Sequence, residues 1–239
     1  MVALRKEFIS KEYCPEGTFI VPASCDFQEM AQLAANAIHI PENSAVIIPR
    51  SYSNLSEMAT QVFSKINPAL NSIAIPAATM RADETMSVIR RDFFTMIDVM
   101  EKSHSFASIE LNASRYENLE SHIDTVVDFE FSPRSKSING SVILLQSFSD
   151  CGTGIYCNRE LREKGISPRK YIDWWSYEVG DAEQSGIDPY YARPGDLVLL
   201  RQNDWPEFYP PSVHTSPVCN IDESVRTAMI SFGYKKLQP

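Results

Sequence analysis

No apolar run in the chain approaches the roughly 18 residues needed to span a bilayer, the longest being short pieces such as Val142 to Leu145. Membrane insertion is therefore excluded. The opening MVALRKEFISKEYCPEG does not read as a secretory signal, because its charges are not followed by a continuous apolar segment, and the expected location is cytoplasmic. Cysteine is sparse and unpatterned. The five, at 14, 25, 151, 157 and 219, form no Cys-x-x-Cys pair and are odd in number, which fits reduced thiols in core or surface positions better than a disulfide framework. Positive charge is also in short supply: 22 Lys and Arg against 31 Asp and Glu leave a net charge of -9, a field that repels phosphate backbones, so nucleic acid is not expected as a partner. Several catalytic signatures are missing too. There is no His-Glu-x-x-His, no Gly-x-Ser-x-Gly and no P-loop, and Gly152 and Gly154 lack the third glycine of a dinucleotide fingerprint.

What is there is the composition of an ordinary globular domain, 44% hydrophobic and 22% charged over 239 residues, which excludes disorder, coiled coil and collagen-like repeats. One unit, residues 1–239, is expected. Its first part, 1–104, reads as mainly helical. Asp26 and Glu29 have capping-box spacing ahead of a helix over about 27–38, a second helix is expected from Leu55 to Ile66, and Asp83 opens the longest pattern, running to about Lys102. Between the first two, Ala45 to Ile48 reads as a strand. From 105 onward β-rich segments recur at Phe106–Leu111, Thr125–Phe131, Ser141–Phe148, Leu197–Leu200 and Thr227–Phe232, separated by Pro, Gly, Asn and Ser turns. Many short strands with little helix between them argue for an antiparallel sandwich or barrel. An insertion over 157–193 interrupts them, with a helical piece at Arg159–Lys164 and an aromatic stretch holding Tyr171, Trp174, Trp175, Tyr177, Tyr190 and Tyr191. That stretch is either a substrate lid or a loop folded back to complete the core.

The chemistry-bearing residues begin with His122-Ile123-Asp124. On a strand, positions i and i+2 share a face, so an imidazole and a carboxylate can reach one ion. With four histidines and thirteen aspartates in the chain, chance alone supplies roughly 0.2 such pairs, so the pair needs company. His214 provides it: two histidines and a carboxylate form the facial triad that holds non-haem iron(II) and leaves three adjacent positions open, whereas a closed zinc site needs a fourth ligand that is not evident. Strand alternation puts Arg226 with Ala228, Ile230 and Phe232, and a guanidinium on an inward face requires an anion. Two anions suit it, the distal carboxylate of 2-oxoglutarate or a neighbouring Asp222 or Glu223.

The order of these pieces resembles the Fe(II)/2-oxoglutarate-dependent oxygenases over roughly residues 105–235: Ser121-His122-Ile123-Asp124-Thr125, Gly152-Thr153-Gly154-Ile155-Tyr156, Pro194-Gly195-Asp196-Leu197-Val198-Leu199, His214-Thr215-Ser216-Pro217 and Arg226-Thr227-Ala228. The His-Thr-Ser-Pro and Gly-Thr-Gly pieces are also similar to a bacterial domain family of unknown function. The resemblance implies an α+β chain with a double-stranded β-helix core of jelly-roll or cupin-like form and N-terminal helices packed outside. It further implies Fe(II) on His122, Asp124 and His214, and 2-oxoglutarate as co-substrate on Arg226. A small-molecule or amino-acid-like substrate would be hydroxylated with molecular oxygen. Aspartate at 124, where a halogenase has Ala or Gly, implies hydroxylation over halogenation. Two departures matter. Ala228 replaces the serine of an Arg-x-Ser pair, and the multi-arginine signature of the nucleic-acid demethylases is missing. A cupin-like metal-binding protein without 2-oxoglutarate, and a non-catalytic interaction module, are the competing readings.

His39 and His104 carry no expected role. The first is placed at a helix C-terminus, where the dipole suits it, and the second as a C-terminal charge or a solvated loop residue.

Overall fold

The computed structural model describes residues 8–10, 12–24, 26–66, 72–84, 87–114, 140–148, 152–166, 181–202, 204–206, 208–215 and 226–236. In chain order the elements are β1 (Thr18–Ile20), α1 (Phe27–Ala37), β2 (Ala45–Ile48), α2 (Leu55–Ser64), β3 (Ser72–Pro76), α3 (Ala77–Ala82), α4 (Ser87–Met100), β4 (His104–Phe106), β5 (Ser108–Ser114) and β6 (Val142–Ser147). They continue with β7 (Gly154–Ile155), α5 (Asn158–Glu163), α6 (Asp181–Gln184), β8 (Tyr190–Tyr191), β9 (Leu197–Arg201), β10 (His214–Thr215) and β11 (Arg226–Lys235). Among the described residues no helix is long and apolar enough to cross a membrane.

The chain is mixed α and β around an eight-stranded sheet of order β1-β2-β9-β6-β11-β5-β3, with β4 also pairing β11, and a second sheet of order β10-β7-β8. Among the described strand pairs β1 and β2 run parallel and the others antiparallel. Register then sorts the side chains. Phe232, Ile143, Leu200, Ala45 and Thr18 form one row across five strands, and Ile230, Leu145, Val198, Ile47 and Ile20 form the next. Because strand side chains alternate with period 2, these rows share one face. Most of their members pack with Ile9, Ile155, Ala192 and Tyr190 into a core between the two sheets.

The opposite face carries Val46, Ile48, Val142, Leu144, Leu197, Leu199, Ile109, Leu111 and Met229, and the N-terminal helices cover it through Met30, Ala34, Met58, Val62, Phe93, Met96, Ile97 and Met100. Burial of each such large side chain contributes roughly 1.5–3 kcal/mol before entropy is counted. A third cluster, Tyr156, Leu161, Ala182, Ile187 and Val213, packs under α5 on the outer face of the small sheet.

Local chemistry explains the boundaries. Asp26 caps α1 by accepting from the backbone N–H of Gln28 and Glu29, although the Glu29 carboxylate binds the Ser24 hydroxyl instead of closing the capping box. The long helix does not begin at Asp83. That carboxylate is paired with Lys65 Nζ at 2.7 Å, its backbone is extended, and it stops α3. The expected single strand around Phe106–Leu111 is two strands, β4 and β5, broken at Ala107, whose carbonyl accepts from Ala77 N. The expected strand Thr125–Phe131 and the aromatics Tyr171, Trp174, Trp175 and Tyr177 lie outside the described residues.

Candidate metal centre

His214 opens β10 and pairs with Ile155 of β7, which in turn pairs with Tyr190 of β8. Cross-strand partners project to one side, so His214, Ile155 and Tyr190 form a row facing the space between the sheets, where Ile155 and Tyr190 join the core. Thr215, Gly154 and Tyr191 form the outward row. Gly154 is forced by that row, because a Cβ there would stand 2.7 Å from Thr215 Cγ2 and 3.0 Å from both Pro189 Cβ and Tyr191 Cε1. Gly152 is equally constrained: its N–H donates to Ala192 O at 2.9 Å, and a Cβ would meet that same oxygen at 2.8 Å. The Gly-Thr-Gly piece thus lets the strands beside His214 close upon one another.

The His214 ring is 4% exposed and its Nδ1 lies 3.1 Å from Ser212 O. A carbonyl only accepts, so Nδ1 is the donor in this contact, which fixes the orientation of the ring. His122 and Asp124 lie outside the described residues, as do Asp222 and Glu223. For Arg226 the backbone is described, as the first residue of β11 paired with Ser114, and the side chain is not. Among the described residues no three His, Cys, Asp or Glu side chains come together as a metal site. The structure therefore places one of the four expected residues fully and a second by its backbone.

The Pro194-Gly195-Asp196 turn carries the chain from β8 of the small sheet into β9 of the large one. Gly195 has φ +88°, a conformation that favours glycine, and Tyr52 and Leu55 leave no room for a Cβ. Asp196 accepts from Arg50 N at 2.8 Å and Arg193 N at 3.0 Å, while burial pushes its carboxyl up to about 6. Beneath the turn, on the helix-covered face, Gln146 Nε2 donates to Gly195 O at 2.9 Å and to the Tyr52 hydroxyl at 3.2 Å. Tyr52 donates to Asp92 Oδ2 at 2.7 Å, and Arg50 pairs with the same buried carboxylate. Burial pushes the Tyr52 phenol up to about 12, so it remains a donor. Sequence reasoning missed this network, since Arg50, Tyr52, Asp92 and Gln146 are far apart in the chain.

One histidine reading needs correction. His104 is neither a helix-end charge nor solvated: it lies fully buried on β4, with Nε2 2.8 Å from Gly140 O and Nδ1 2.8 Å from Ser103 Oγ. Burial lowers it from 6.5 to about 4 and keeps it neutral. His39 does follow the C-terminus of α1, where Ala34 O accepts from Ile38 N, Asn36 O from His39 N and Ala37 O from Ile40 N and Asn43 Nδ2, while the buried Arg201 guanidinium donates to Ile38, Ile40 and Pro41 just beyond the helix. His39 itself is lowered, first by burial and then by Lys235 and Arg201.

No family model and no curated protein matches the chain. Its fold is similar to that of solved structures. The non-heme alpha ketoglutarate dependent carbocyclase SnoK from nogalamycin biosynthesis aligns over 89% of this chain and 87% of its own, at 14% identity and a TM-score of 0.50. HygX from Streptomyces hygroscopicus, with nickel and 2-oxoglutarate bound, aligns over 80% and 82% at 13% identity and a TM-score of 0.42. At such identities the likeness is one of fold.

Proposed function

We propose that the chain is an Fe(II)- and 2-oxoglutarate-dependent oxygenase that hydroxylates a small molecule or amino-acid-like substrate with molecular oxygen, in the cytoplasm and without nucleic acid. The two sheets are read as the halves of a double-stranded β-helix, with His122, Asp124 and His214 holding the iron and Arg226 the distal carboxylate of 2-oxoglutarate. The observation that carries the reading is His214: buried, on the inward row of the small sheet, and oriented by the contact of its Nδ1 with Ser212 O. The alternation of β11 supports a role for Arg226. Ile230 and Phe232 pack against the inter-sheet core, and the period-2 alternation of β11 assigns position 226 to the same face of the strand. The fold likeness to SnoK adds weight from an independent direction.

When bound, iron with 2-oxoglutarate supplies an oxidation coupled to decarboxylation, giving succinate and carbon dioxide. The chain's part is positional. His214 offers one oriented imidazole nitrogen, the guanidinium at 226 fixes the co-substrate by its far end, and the apolar rows of Ile143, Leu145, Val198, Leu200, Ile230 and Phe232 keep bulk water from that side of the site. Succinate formation from 2-oxoglutarate in wild type, His122→Ala and Arg226→Ala tests the assignment. The expected result is turnover in the wild type and its loss in both variants; turnover untouched by either change contradicts the site. Iron binding with 2-oxoglutarate affinity unchanged in Arg226→Ala would favour the cupin-like alternative.

A further inference from the structure

One end of the inter-sheet space holds polar groups that the protein leaves unmatched. Gln202 is 1% exposed, yet neither its Oε1 nor its Nε2 has a hydrogen-bond partner, and the Ser212 hydroxyl, equally buried, has none either. Thr18 Oγ1 and Asn158 Oδ1 are orphaned at the same end. Connectivity brings them together. Ser212 N donates to Arg201 O at 2.9 Å, which sets Ser212 beside the Gln202 end of β9. Arg201 N donates to Ser44 O at 2.9 Å, and the Ser44 hydroxyl accepts from Asn158 Nδ2 at 3.2 Å. Thr18 is the cross-strand partner of Ala45, next along from Ser44. Along β9, Leu197 and Leu199 pack under the helices and Val198 and Leu200 pack between the sheets. The alternation gives Arg201 to the helix side and Gln202 to the inter-sheet side. Likewise Val213 packs outside the small sheet, while Ser212 and His214 flank it on the inner side.

A buried amide with both ends unmatched is costly, and native proteins meet that cost with ordered water when the surroundings are polar. The orphan set is neutral and mixes donors with acceptors: a carboxamide at Gln202, hydroxyls at Ser212 and Thr18, and the carbonyl of Asn158. Among the described residues the set holds no carboxylate to favour a cation, and Arg201, whose Nε is also unmatched, turns its guanidinium to the carbonyls of Ile38, Ile40 and Pro41 on the helix side, so an amphoteric ligand is the one the set matches. We propose that Gln202 and Ser212 bind ordered water between the sheets, behind His214, and that this water fixes the segment whose Ser212 carbonyl holds the His214 ring. Gln202 is on this account a positioning residue that acts through Ser212, and the hydration site exists with or without iron.

The test uses the full-length, deuterated, 15N-labelled protein and nuclear Overhauser transfer from water to side-chain amides. The expected result is a bound-water cross-peak at the Gln202 carboxamide that weakens in Ser212→Ala, together with a shift of the His214 Nδ1 proton in Gln202→Met. Gln202→Met, close in shape but unable to hold water, should melt lower than wild type by roughly 2–6 °C. Were the amide simply unsatisfied, the same change would remove a penalty and raise the melting point. No cross-peak at Gln202 in the wild type, or a Gln202→Met protein that melts higher, overturns the proposal. Ser212→Ala supplies the same readout if Gln202→Met does not fold: an unchanged Gln202 cross-peak there also counts against it.

Discussion

Two buried histidines, one on each face of the large sheet's neighbourhood, are wired in opposite ways. His104, on the helix-covered side with Phe106, meets protein at both ring nitrogens, donating to Gly140 O through Nε2 and accepting from Ser103 at Nδ1. His214, on the inter-sheet side, has its Nδ1 3.1 Å from the carbonyl of Ser212, two residues back, a contact that orients the ring. The same contrast extends outward. On the helix side Arg50, Asp92, Tyr52 and Gln146 bond one another, although Gln146 Oε1 and Arg201 Nε are unmatched there. On the inter-sheet side Gln202, Ser212, Thr18 and Asn158 keep unmatched atoms. Burial alone therefore says little about role; the groups that meet each ring nitrogen say more.

That contrast can be broken at either face. The largest effect belongs to His214→Ala, which should lower 2-oxoglutarate turnover by about a thousandfold or more, roughly 4 kcal/mol at the transition state, while circular dichroism shows the fold retained. Full turnover in a folded variant would return His214 to the ordinary core. Next is Asp92→Asn, which leaves the partly buried Arg50 without its counter-charge. A loss of about 3 kcal/mol in denaturant unfolding is expected, with iron affinity unchanged.

The third effect is one of pH. Because His104 is lowered to about 4 when folded, the unfolded chain takes up its proton first as pH falls. The neutral ring's contribution is complete above about 6.5 and is lost progressively toward pH 4. The amplitude is about 3 kcal/mol. His104→Gln, which keeps a donor for Gly140 O but cannot titrate, should lose correspondingly less stability between pH 7 and pH 4, and parallel curves would show that the ring is not buried neutral. The smallest effect is Gly154→Ala, where Thr215, Pro189 and Tyr191 must give way. A cost of roughly 1–3 kcal/mol is expected, together with a shift in the His214 ring resonances. An unperturbed ring would mean that the small sheet does not set its position.

The large sheet and its helices were readable because their patterns are long. Ala45–Ile48, Val142–Ser147, Leu197–Arg201 and Arg226–Lys235 carry apolar residues over four or more positions, and α1 carries its own cap at Asp26. The small sheet was not readable as strands. β7, β8 and β10 have two residues each, too few for any period, and they exist because Gly154 lets Thr215 and Tyr191 meet across it. Thr18–Ile20 and Ser72–Pro76 escaped for a similar reason, being short edge strands defined by their neighbours β2 and β5. At the candidate site, His214 could be named from its motif but the orientation of its ring could not, since that depends on the path of the chain at Ser212. His104 was misread because its position after a helix looks like a solvated end, and only the pairing of β4 with β11 shows it to be interior.

The central claim is that His214 and the inward face around position 226 complete an iron and 2-oxoglutarate site. Anaerobic addition of iron(II) and then 2-oxoglutarate to the full chain tests this most directly. A visible metal-to-ligand charge-transfer band that saturates with 2-oxoglutarate, and is lost in His214→Ala, is the result expected; folded, iron-loaded protein that gives no band would contradict the claim.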